Sequence, residues 1–185
     1  MSPNNIRQQG VFVSTGDPET VDDASMYAPG TLGARVTVKQ PTRGAAGAED
    51  YRYKTYQYVR GDSSMSVTPF KGAVMWWADK TAYQVTTDPT KLGRGRVAGI
   101  CQSAPGAGNF FYVQTQGPGI VKFIDGVTAA PSDDGLIVVP SATAGKADAL
   151  AAGSAATYPA IGVTAGALQG GTSEAVVDLD VPETP

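Results

Sequence analysis

The sequence predicts a mainly β fold: a small β-barrel or β-sandwich body, an extended N-terminal arm and little helix. Three observations carry this. Short apolar runs with two-residue alternation recur every 8–15 residues, with turn signals between them. Glycine (23) and proline (13) are spread along the 185 residues without a fixed period, as many short strands and turns require. Apolar residues at helical spacing over three turns occur nowhere.

Residues 1–30 form the expected arm and 31–185 the body. In the arm, Val11-Phe12-Val13 is one short apolar cluster. Asp17-Pro18-Glu19 has the chemistry of a single helical turn, with Asp17 as cap and Pro18 in the first position. No apolar stripe continues it. The first residues are polar and lack the apolar core of a secretion signal.

The body begins with alternation. Val36 and Val38 face one way, Arg35, Thr37 and Lys39 the other. Tyr51 to Arg60 is a second strand, with Tyr51, Tyr53 and Thr55 on one face and Tyr56 and Tyr58 on the other. Val74-Met75-Trp76-Trp77-Ala78 is apolar on both faces and suits a central strand. Tyr83 to Thr86 and Arg96 to Cys101 are two more. The stretch GNFFYVQTQGPGIVKF then reads as a hairpin: Phe110 to Thr115 out, a turn at Gly117-Pro118-Gly119, and Ile120 to Ile124 back. Phe111, Val113 and Thr115 form its core face, and Phe110 and Tyr112 the other. Leu136 to Val139, Ala160 to Val163 and Ala175 to Val181 are the remaining clear strands. Lys146 to Ala156 is open between helix, which its alanines favour, and a tightly packed strand and turn, which Gly145 and Gly153 favour.

Several kinds of chemistry lack their residues. There is no histidine, and the lone Cys101 lies in an apolar stretch, so it reads as a small buried residue. No catalytic set, metal site or cofactor is expected. Asp133-Asp134-Gly135 is a turn, and Asp178 and Asp180 share a solvated strand face. The glycine-rich 104–109 loop lacks the Lys-Ser/Thr of a phosphate loop. Arg60-Gly61-Asp62 spells an adhesion tripeptide that recurs by chance. Tyr51 to Arg60 interleaves aromatics with cations, yet the pI near 4.8 and the neighbouring Glu49-Asp50 oppose nucleic acid as a partner. No run of 18 apolar residues suggests a membrane span.

Charge is uneven. Residues 1–96 carry 12 Lys/Arg against 9 Asp/Glu, and residues 97–185 carry 2 against 8. That polarity favours head-to-tail contact between copies or docking on a surface of mixed sign. The aromatic and β-branched strand faces suit protein contact, and the candidate interface residues are Val11, Phe12, Val13, Tyr51, Tyr53, Tyr56, Tyr58, Phe110 and Tyr112.

The stretches GRVAGICQSAPGAGNFFYVQTQGPGIVKF, LIVVPSATAGKADAL, YPAIGVTAGAL and AVVDLDVPE, with APGTLGARVTV and YKTYQYVRG before them, resemble head decoration (cement) proteins of tailed bacteriophages over residues 28–182. The resemblance is one of pattern. It implies a structural virion protein on the outer capsid surface, bound to the major capsid protein. It also implies a homo-oligomer, a trimer ahead of a dimer, without catalysis or cofactor. The competing expectation is a carbohydrate-binding or host-attachment module using Trp76, Trp77 or Tyr83 as an exposed stacking platform. An oligonucleotide-binding barrel using Tyr51 to Arg60 is the third.

Overall fold

The computed structural model describes residues 6–8, 18–19, 21–22, 32–43, 49–91, 97–125, 127, 135–151, 154–166 and 173–182. They form eleven strands and no helix: β1 Ile6–Gln8, β2 Arg35–Arg43, β3 Glu49–Gly61, β4 Ala73–Asp79, β5 Gln84–Thr86, β6 Val97–Cys101, β7 Phe110–Lys122, β8 Ile137–Pro140, β9 Ala147–Leu150, β10 Gly162–Thr164 and β11 Glu174–Asp180. The mainly β class expected from the alternation is the one observed.

The strands belong to one sheet of order β1-β2-β3-β5-β4-β6-β7-β11-β10-β8-β9, with an additional β3–β7 pairing. That pairing closes β3-β5-β4-β6-β7 into a five-stranded barrel. The β3–β5 contact is parallel and the other contacts of the ring are antiparallel. Closure removes the open edges of these strands. Side chains from all five strands meet in one cluster, including Val59, Met75, Val85, Cys101, Phe111 and Val113.

The second half of β7 leaves the barrel and pairs with β11, from Glu174↔Lys122 to Asp180↔Gln116. The C-terminal strands curl so far that they nearly close as well. Phe123 bridges Ala147 in parallel, and the Ile124 N–H donates to the Ala147 carbonyl at 2.9 Å. Their inner face packs on the outside of β4 and β6, where Val74, Trp76, Val97 and Ile100 join Val121, Phe123, Val138, Ile161, Val177 and Leu179 in the largest core cluster. A third cluster lies on the outside of β3 and β7.

The expected hairpin is therefore corrected. Gly117-Pro118-Gly119 is not a turn between two strands but a bend inside one strand of 13 residues. Gly117 has φ 85, and a Cβ there would collide with the Tyr53 carbonyl oxygen, so only glycine allows this crossing. The buried Gln114 amide holds the bend: its Nε2 donates to the carbonyls of Gln116, Gly117 and Pro118 at 3.0–3.1 Å. A glycine-proline-glycine triplet serves a turn and a bend equally well, and the partner change from β3 to β11 is not a local property of the sequence.

Two smaller points follow. The 146–156 alternative resolves as a strand at β9. Pro18 and Glu19 lie in a turn, and Asp17 lies outside the described residues.

Candidate functional site

Three surfaces carry the residues of interest: the outer face of β3 and β7, the outer face of the C-terminal sheet, and one mouth of the barrel. On the first, Tyr56, Tyr58, Phe110 and Tyr112 are all buried, packed with Val36 and Val38 and flanked by Val21 and Leu32. The Tyr58 ring sits 4.9 Å from Tyr112 and 6.2 Å from Phe110. The Arg60 guanidinium lies 5.7 Å from the Phe110 centroid.

The cover comes from the chain's own N-terminal portion. Glu19 Oε1 accepts from Tyr56 Oη at 2.6 Å and from Lys54 Nζ at 2.7 Å. Asp22 Oδ1 accepts from Asn109 Nδ2 at 2.7 Å and from the Gly106 N–H at 3.2 Å. Burial pushes the Glu19 carboxyl up, but the bonds from Lys54 and Tyr56 outweigh it and leave the pKa lowered. The described parts of the expected arm thus lie against the body, and Ile6–Gln8 pairs with β2.

The alternation assigned both faces of Phe110–Thr115 in the right sense, but it placed the second face against another subunit. The structure covers Tyr56, Tyr58, Phe110 and Tyr112 with residues of the same chain, and this corrects their assignment as interface residues. Tyr53 remains outward, 59% exposed. Tyr51 pairs with Pro41 in the backbone register. Val11, Phe12 and Val13 lie outside the described residues.

On the C-terminal sheet the large exposed hydrophobics are Ile137 (47%) and Val163 (43%), which are direct cross-strand partners. Ile137 also faces Leu150, and Val163 faces Asp178. The result is a cross-strand row Leu150–Ile137–Val163 ending in a carboxylate. The sequence marked Asp178 as a solvated face but gave no sign that its neighbours across the sheet were apolar. That juxtaposition depends on strand order.

The barrel mouth holds a pocket of about 270 Å³ lined by, among others, Arg35, Gln57, Trp77, Lys80, Tyr83 and Thr115. Gln57 and Thr115 continue the inward rows that hold Val59 and Val113 deeper in the barrel. Arg35 is the register partner of Gln57, which brings it to the rim. Lys80 and Tyr83 come from the β4–β5 loop, whose shape is fixed by Asp79: its Oδ1 accepts from the N–H groups of Thr81 and Ala82 at 2.9 and 3.1 Å. Tyr83 has φ 50, a strained value for an aromatic residue, and its ring packs edge-on to Trp77 at 6.1 Å. Sequence reasoning missed this pocket. The available signal was the polar Gln57 and Thr115 on otherwise apolar inward rows.

Other motifs resolve as framework. Trp76 and Trp77 are each 4% exposed, so neither offers the stacking platform that an attachment module was expected to use. The Asp62 carboxylate of Arg60-Gly61-Asp62 is buried, bonded to Ser64 N–H and Oγ and paired with Lys91 at 2.9 Å. The Ser64 N–H, more than Lys91, holds its pKa low. Cys101 is fully buried, and burial pushes its thiol up to about 11. Among the described residues, no group of three or more Cys, Asp or Glu converges. Comparison with family models, curated proteins and solved structures finds no match to the chain.

Proposed function

We propose that this chain is a head decoration protein of a tailed bacteriophage, bound to the outside of the shell and bracing contacts between copies of the major capsid protein. The reading rests on the sequence pattern over residues 28–182 and on a β-rich body built around three packed clusters.

The structural observation that carries it furthest is the outward row Leu150–Ile137–Val163. Among the described residues, the large apolar side chains that stand exposed are Tyr53, Ile137 and Val163. Here two of them stand side by side on paired strands. Such a face docks without ordering a flexible loop first, so little conformational entropy is lost on contact. One small apolar row binds weakly by itself. Repeated over an oligomer that reaches several shell subunits, weak contacts combine through effective concentration. A trimer is the assembly this reading favours, with the shell exterior as its location.

The test is association of the purified protein with expanded shells that lack it. Ile137→Asp and Val163→Asp place charge on the row without touching the core. The expected result is loss of shell association with an unchanged melting temperature. Undiminished association of the double variant would remove the row from the docking surface.

A further inference from the structure

We infer that the outer face of the C-terminal sheet fits one kind of partner: a protein surface that offers an arginine or lysine within an apolar patch, with Asp178 as its counter-charge. The inference rests on the decoration reading for that partner's identity, which is then a copy of the major capsid protein.

The face extends beyond the row Leu150–Ile137–Val163. From Val163 the row passes through Asp178 to Pro118 of β7, the register partner of Asp178 on its other side. Alternation along β11 turns Ala175, Val177 and Leu179 into the core and leaves Val176, Asp178 and Asp180 outward. Val176 stands opposite Ile120, and both are half-buried. Asp178 therefore has apolar neighbours on three sides, Val163 and Pro118 across the strands and Val176 along its own, with Asp180 on the fourth.

That carboxylate has no counter-ion in the chain. Among the described residues it makes no ion pair and accepts no hydrogen bond. Lys122 is the one cation within β7 to β11, and it is paired with Glu174 at 3.0 Å. Glu174 lies four residues before Asp178, about 13 Å along the strand, so that pair stands apart from the carboxylate. In water a lone aspartate is at no disadvantage. Once its apolar neighbours are covered it loses hydration, and only a cation brought by the partner offsets that loss.

This separates the occupants. A second copy laid on the face by a twofold axis brings the same apolar row and the same carboxylate, so both aspartates would be closed in without a cation. The partner's chemistry is complementary instead: apolar side chains for Ile137 and Val163, a guanidinium or ammonium for Asp178. The apolar row supplies area, and the charge fixes the register in which the partner seats. Closed within the contact, the pair is little screened by moderate salt.

The experiment compares wild type, Asp178→Asn and Asp178→Glu in co-sedimentation with expanded shells that lack the protein, with thermal melts as the folding control. Asp178 is exposed, so all three should melt alike. Asp178→Asn should weaken association at least about tenfold, and Asp178→Glu, which keeps the charge, should recover most of it. Sedimentation velocity without shells should show the same oligomeric state for wild type and Ile137→Asp. Equal or tighter shell association of Asp178→Asn would overturn the inference and leave the decoration reading standing, with the aspartate serving only to keep the face soluble. A change of oligomeric state in Ile137→Asp would assign the face to contacts between copies and overturn it too. No association of wild type would remove both readings.

Discussion

The ring of Tyr83 lies so close to the α-carbon of Gly33 that a β-carbon added there would clash with the ring at its Cζ. Gly33 also has φ 84. Space and backbone conformation therefore both demand glycine, and the contact joins the start of β2 to the β4–β5 loop across the barrel mouth. Gly33→Ala should cost about 1–3 kcal/mol and lower the melting temperature. Gly33→Ala with Tyr83→Ala should recover part of that loss, because the clash goes while the φ strain stays. Equal melting of wild type and Gly33→Ala would show that the ring is not seated there.

The bend in β7 offers a second test. Gln114→Leu keeps the side chain's bulk but leaves three carbonyls without their shared donor. A loss of about 1–3 kcal/mol is expected in denaturant titration. Phe111→Ala, which empties the centre of the barrel cluster, should cost more, about 3–5 kcal/mol. If Gln114→Leu proved neutral, the amide would not be what holds the bend.

Those two sites show what the sequence does and does not encode. Alternation and short apolar runs bounded by turn residues marked the strands around Val36, Tyr56, Val74, Val97, Leu136 and Val177, and alternation put Phe111 and Val113 on the core face. These are local properties. The partner of each face is not local. Tyr58 and Tyr112 show that a two-sided apolar strand will be covered on both sides, yet nothing near them says that Val21 and Val36 of the same chain do the covering. The barrel closure, the bend at Gly117 and the rim position of Arg35 likewise depend on contacts remote in sequence.

The Glu19 clamp should depend on pH. Its folded pKa lies below the ordinary 4.5, so the unfolded chain takes up a proton first as pH falls. The clamp's stabilisation is therefore present in full above 4.5 and is lost as pH drops through the lower folded value. Comparing melting temperatures of wild type and Glu19→Gln across pH checks this. Wild type should lead at pH 7, and the gap should close in acid. A gap that stays constant down to about pH 2 would contradict the assignment.

Cys101 should resist alkylation. With its thiol pushed up to about 11 by burial, little thiolate exists in the folded protein at pH 8 and none of it is exposed. Iodoacetamide followed by mass spectrometry should show no adduct on native protein and full labelling in denaturant. Because the folded thiol keeps its proton above 9.0 while the unfolded one releases it, stability should fall as pH rises beyond that value. Rapid labelling of the native protein would mean that the barrel opens readily.

The central claim is the brace on the shell. The most direct measurement is the temperature at which DNA-filled shells lacking this protein release their DNA, with and without the purified chain. The account predicts that the protein co-sediments with the shells and raises the release temperature. It also predicts that moderate salt leaves the association intact, since the row Leu150–Ile137–Val163 is apolar. No co-sedimentation, or co-sedimentation with no change in release temperature, would contradict it.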